Sequence, residues 1–203
     1  MESDLESVLL ELRVLRRANR SQDSSAFIKT QLERPWSDRE ASVLRSELIG
    51  ECHRHERYAE ALQHLEEQVE REPLEPFHSL CLAEHFHYYD VNLKQSIVHI
   101  ASAISKARAD GKFLYQALGV QARVAIELED WSLLEGTLTE LASYEHTPGN
   151  ADVFPETDFI GRIPNGSVSP PALEAYLARV EHLRSIGYST MYGPKPWPAT
   201  NAS

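Results

Sequence analysis

The chain has 203 residues, 42% of them apolar and 25% charged, enough for one substantial domain or a short array of repeats. Its net charge of −11 disfavours phosphate-rich ligands, so nucleic acid is not an expected partner. No apolar run approaches a membrane span, the two cysteines (Cys52 and Cys81) make no disulfide framework, and the opening MESDLESVLLELRVLRR lacks the basic start and apolar centre of a secretion signal; a cytoplasmic protein without a membrane role is expected.

Helical periodicity runs from the start to about residue 145. Leu5, Leu9, Leu12 and Leu15 form one stripe with Val8 beside it, and RSQDSS reads as a break. A short helical piece around Phe27, Ile28 and Leu32 follows. Pro35-Trp36-Ser37-Asp38 marks a new helix start, with Ser37 or Asp38 as N-cap and Val43, Leu44, Leu48 and Cys52 along the helix. His55-Glu56-Arg57 is a turn into YAEALQHLEEQVEREP, where Tyr58, Ala61, Leu65 and Val69 share one face and Pro73 stops the helix.

The pattern then recurs. A helix around Leu80, Ala83 and Phe86 leads through the turn Asp90-Val91-Asn92 to one with Leu93, Ser96, Ile97, Ile100, Ala103 and Ile104. After Gly111, a helix with Leu114, Leu118, Ala122 and Ala125 leads through Glu129-Asp130 to Trp131, Leu134, Leu138 and Leu141. Leu93 lies 35 residues after Tyr58 and Trp131 lies 38 after Leu93, so a tandem array is expected.

Tyr58, Ala61, Leu65 and Pro73 resemble the second helix of the tetratricopeptide repeat (TPR) family. The later units depart from that pattern: Ser96 and Leu134 replace the small Ala, neither ends in Pro, and Gly50 falls one place off the family's small first-helix residue. The resemblance covers about 41–145, as one good and two degenerate repeats. It implies an all-α fold of antiparallel helix pairs stacked into a short right-handed solenoid, and a role in holding other proteins.

The expected organisation is a helical array over 1–145, with divergent first helices at 3–52, then an ordered Pro/Gly-rich loop over 146–169. A brief extended piece is expected at Phe159-Ile160. Ser169 and Pro170 open a helix over 170–186 with Leu173, Tyr176, Leu177, Val180 and Leu183 on one face and Gly187 at its end. That apolar face suits either the open end of the array, as a capping helix, or a second copy in a homodimer. The remaining 187–203 reads as a flexible tail in which Tyr188, Tyr192 and Trp197 are the residues able to pack back.

Residues 127–158 hold nine acids and no Lys or Arg, which would attract a basic protein. HFHYYD, residues 85–90, carries five large rings, more than one helix face buries, so some of His85, His87, Tyr88 and Tyr89 are expected at the surface. With Glu135, Glu140 and Asp158 they form the expected partner-binding set. Nine histidines are the only catalytic resource: Glu51, Cys52, His53 and His55 form one cluster, and Glu84, His85 and His87 with His78 and His99 a second. The spacings match no zinc signature, and GxGxxG, GxxxxGK[ST] and GxSxG do not occur, so no metal, cofactor or catalysis is expected. Cys52 and Cys81 lie on apolar stripes as structural thiols.

The function expected from these observations is a non-catalytic, stoichiometric acidic binder of a basic protein, of the immunity or inhibitor kind. Two alternatives stand beside it. One is a TPR-like adaptor or chaperone that grips a short peptide in its groove, for which Arg45, Asn92 and Arg123 are the candidate carboxylate contacts. The other is a metal-dependent hydrolase using the histidine clusters.

Overall fold

The computed structural model describes residues 4–18, 20–145 and 158–186. Among them the fold is all-α, without strands: α1 (Asp4–Arg17), α2 (Ser21–Leu32), α3 (Asp38–Arg54), α4 (Tyr58–Arg71), α5 (Pro76–Tyr88), α6 (Leu93–Asp110), α7 (Leu114–Glu127), α8 (Trp131–Ser143) and α9 (Pro170–Ser185), with a 3₁₀ turn at Ile160–Arg162. No helix of the described residues is long and apolar enough to cross a membrane. Two compact units are formed, residues 1–73 and 74–203, so a boundary falls inside the span 1–145 that the periodicity reads as one array.

The first unit is α1 to α4, each packed on the next in chain order. Val8, Leu12, Ile28, Leu44, Leu48, Cys52 and Ala61 form its core. RSQDSS is not a break: α2 begins at Ser21, and the interruption lies before it. Ser and Asp are favourable in a helix's first turn, and Asp23 pairs with Arg20 at 2.6 Å. Ser37 is the N-cap of α3 in a capping box: its Oγ accepts from the Glu40 N–H, and the Glu40 carboxylate accepts from the Ser37 N–H at 3.1 Å.

The second unit is α5 to α9, again packed sequentially, with α5 also touching α7. Its core includes Leu80, Ala83, Ile100, Leu118, Ala122, Leu134, Leu138, Tyr176 and Val180. Ser96, where the first hairpin has Ala61, is fully buried. Its hydroxyl donates to the Ala83 carbonyl of α5 at 2.9 Å, which satisfies a polar group that burial would otherwise penalise.

Three helix-to-helix turns share one backbone device. Glu56, Val91 and Glu129 all adopt left-handed φ, of 55°, 49° and 54°. Each stands two residues before the next helix begins, at Tyr58, Leu93 and Trp131. The following amide turns back onto the preceding helix: Arg57 N–H donates to Cys52 O at 2.8 Å, Asn92 N–H to Phe86 O at 2.7 Å and Asp130 N–H to Ala125 O at 2.9 Å. Such bonds satisfy carbonyls that a helix end leaves open.

Phe159-Ile160 is not extended. Arg162 N–H bonds to Phe159 O in the 3₁₀ turn, and the buried Phe159 ring stacks on Tyr176 at 5.9 Å. Burying this ring outweighs any local strand preference. Helix α9 packs against α8 and buries Tyr176, Val180 and Leu183 in its own unit, so this apolar face is already covered. The Ser169 hydroxyl does not cap α9 but donates to the Glu135 carboxylate of α8. Gly187, the tail aromatics and residues 146–157 of the expected loop lie outside the described residues.

Candidate functional site

The second unit gathers its ionisable groups where α5 and α7 end. Arg123 and Glu127 lie one turn apart on α7 and share a face. Glu127 accepts from His87 Nε2 at 3.1 Å and from Arg162 Nη2 at 3.1 Å. Arg123 is buried, and its Nη2 donates to Asp158 at 3.3 Å. Helix α5, helix α7 and the 158–162 segment are therefore tied together by charged hydrogen bonds, stronger than neutral ones when partly shielded from water.

Burial lowers the His87 pKa, although Glu127 opposes that shift, so the imidazole is neutral near pH 7 and Nε2–H is the donor. Its Nδ1 is buried without a hydrogen-bond partner among the described residues. Burial pushes the nearby Glu84 carboxyl up to about 7, with Arg123 pulling the other way.

The five rings of 85–89 divide between interior and surface. His85 and His87 are buried, at 1% and 5% exposure, so the structure corrects their expected place on a partner-facing surface. Helix α5 is covered by both α6 and α7 and buries a wider arc than one contact face provides. Phe86 stacks on His99 at 5.4 Å inside this arc. Tyr88 and Tyr89 face solvent, as expected for part of this group, at 44% and 39% exposure.

The acidic residues are arranged differently from their order in the chain. Glu140 is held by Arg108 of α6, with 2.8 Å to both carboxylate oxygens. Glu135 accepts from Ser169, Asp158 from Arg123 and Glu127 from Arg162. Arginines from outside the base-free segment thus pair three of its acids, Glu127, Glu140 and Asp158. Among the described residues no ion pair involves Asp90, Glu129 or Asp130. Asp130 Oδ1 accepts from Leu133 N–H as the N-cap of α8.

These three acids sit in the turns after α5 and α7, which the His87–Glu127 bond brings to one end of the unit. Tyr88, the last residue of α5, is exposed beside Tyr89, Val91 and Leu128 of the same two turns. The result is an apolar and aromatic surface bordered by uncompensated carboxylates. Val91 and Leu128 were not expected there; only the hairpin turns turn them outward.

The chain matches no protein-family model, no curated protein and no solved structure.

Of the candidate peptide-carboxylate contacts, Arg123 is committed to Asp158, and Asn92 caps α6 by accepting from Gln95 N–H. Both cysteines are free; Cys52 is fully buried, and burial raises the pKa of both thiols. In the first unit, Glu51 is buried and accepts from Arg16 Nε at 2.6 Å and Arg54 Nη2 at 2.5 Å, with His55 at 3.4 Å. Burial would raise its pKa, but the two guanidinium bonds outweigh that and hold it below the ordinary value. Glu51 is thereby occupied as an ion-pair centre. Neither histidine cluster assembles three ligand atoms; among the described residues such a group is formed instead by Cys52, Glu60 and His64.

Proposed function

We propose that this chain is a non-catalytic binding protein, a stoichiometric acidic binder of a basic partner of the immunity or inhibitor kind, built on degenerate TPR-like hairpins. The observation that carries the reading is the turn end of the second unit, where Tyr88, Tyr89, Val91 and Leu128 are exposed beside Asp90, Glu129 and Asp130, which form no ion pair among the described residues. Exposed tyrosines ringed by charge supply contact area at low entropic cost, and unpaired acids steer a cationic partner. The three turns with one left-handed residue at matching positions support the repeat reading, and α9 on α8 supports a capping helix.

Glu140 and Asp158 contribute less to this surface than their place in the sequence implies, because arginines already hold them. The test is to identify the partner by affinity capture with the full chain. Its affinity is then measured for Tyr88→Ala, Tyr89→Ala and the double charge reversal Asp90→Lys with Glu129→Lys, at low and moderate salt. Each tyrosine truncation should weaken binding about tenfold or more. The charge reversal should slow association and flatten its salt dependence. Unchanged affinity and salt dependence in all three variants would sink the proposal.

A further inference from the structure

Cys52 lies in the last turn of α3, and α4 places Glu60 and His64 one turn apart on one face. The turn at Glu56 folds α4 back so that a thiol sulfur, a carboxylate oxygen and an imidazole nitrogen all lie within 4.8 Å of one another. Donors about 2.0–2.3 Å from a tetrahedral ion are about 3.5 Å apart, so small side-chain rotations close this set around one ion.

The His64 ring is oriented as a metal-bound imidazole usually is. Its Nε2 faces Glu60 Oε1 at 3.8 Å and is buried with no hydrogen-bond partner. Its Nδ1 faces Glu67 Oε2 at 3.7 Å, and Glu67 is itself held by Gln63 Nε2 at 3.0 Å. That carboxylate lies just beyond hydrogen-bond distance, and a small rotation would let it accept from Nδ1–H and so set the tautomer that leaves Nε2 free to ligate.

Glu60 is ionised and doubly paired, with Lys29 Nζ on Oε1 at 2.8 Å and Arg57 Nη1 on Oε2 at 2.7 Å. Arg57 is also anchored by Ser25 Oγ at 2.6 Å. Arg57 can keep Oε2 while an arriving ion takes Oε1 from the lysine, which reaches in from α2 and is half exposed.

We propose that Cys52, Glu60 and His64 form a site for a zinc-class divalent cation in the first unit. The mixture of thiolate, imidazole and carboxylate matches a borderline-soft ion, and three protein ligands leave a fourth position for water. On binding, the Cys52 S–H bond breaks, its proton leaves to the buffer, and the sulfur becomes the ligand. No oxidant or reductant is needed.

The experiment is titration of the chelator-treated full chain with cobalt(II), then displacement by zinc(II), followed by absorbance. A thiolate-to-cobalt charge-transfer band should saturate at equimolar ion and vanish with zinc. Cys52→Ser should abolish the band and Cys81→Ser should leave it. His64→Gln should weaken cobalt binding more than tenfold and Glu67→Gln about tenfold. Lys29→Gln should strengthen binding severalfold, because it removes the competing cation; a purely structural cluster would not respond in that direction. No band under excess cobalt, or a band that survives Cys52→Ser, overturns the proposal. Should Cys52→Ser fail to fold, an unchanged cobalt affinity in the partly exposed His64→Gln overturns it instead.

Discussion

Val91 holds φ at 49°, a region where a β-branched side chain crowds its own backbone. It is 71% exposed, so its side chain contributes little burial in return. Val91→Gly should therefore stabilise the second unit by about 0.5–1 kcal/mol, read as a higher denaturant midpoint at unchanged slope. The same variant should weaken partner binding if the turn surface is the contact, which separates the two roles of this residue. Glu84 makes a second prediction. Its folded-state carboxyl titrates near 7 against an ordinary 4.5, so between these values the folded chain holds more protons than the unfolded chain. Stability should fall as pH rises through that window. Glu84→Gln should be close to neutral at pH 4 and more stable than the parent by about 3 kcal/mol at pH 8, measured by urea unfolding at both pH values.

At the scale of elements, the short links and their caps determine how each helix pair closes. Asp130 does two things: its amide bonds back to Ala125 O, and its carboxylate caps Leu133 N–H. Asp130→Ala should cost about 1 kcal/mol, visible as a lower thermal midpoint, and Asp130→Asn should recover most of that loss. The helix spans were readable from the chain because apolar residues recur at helical spacing and the breakers stand where the helices end: Ser37 before α3, Pro73 after α4 and the αL Gly111 after α6. Two elements were not readable. SQDSS looks like a loop by composition, yet its residues suit a first turn, and the apolar stripe of Phe27 and Ile28 carries the helix through them. Phe159-Ile160 looks like a strand, yet its ring is taken up by Tyr176.

For the whole molecule, each unit has an apolar core of its own. A chain of residues 74–203 should fold alone, with a cooperative thermal transition and helical circular dichroism; a non-cooperative melt would show that its core does not suffice. Charge is also settled at this scale. Residues 127–158 contain no base, but Arg108, Arg123 and Arg162 enter from α6, α7 and the 3₁₀ turn to pair Glu140, Asp158 and Glu127. Linear charge density therefore overstates the field over that segment, and among the described residues Asp90, Glu129 and Asp130 are acids that no ion pair offsets.

The sequence by itself determined the all-α class, most helix boundaries and the recurring hairpin. These depend on interactions within about four residues: apolar periodicity, capping hydroxyls and carboxylates, and the missing amide of proline. Tertiary structure alone decided which of the five rings in HFHYYD face water, because burial depends on α6 and α7 covering two sides of α5. It also decided which acids are free, and that Cys52 meets Glu60 and His64 rather than His53 and His55. Each of these outcomes brings together groups that lie far apart along the chain or on neighbouring helices, and Coulomb and ligand distances follow the folded path, not residue number.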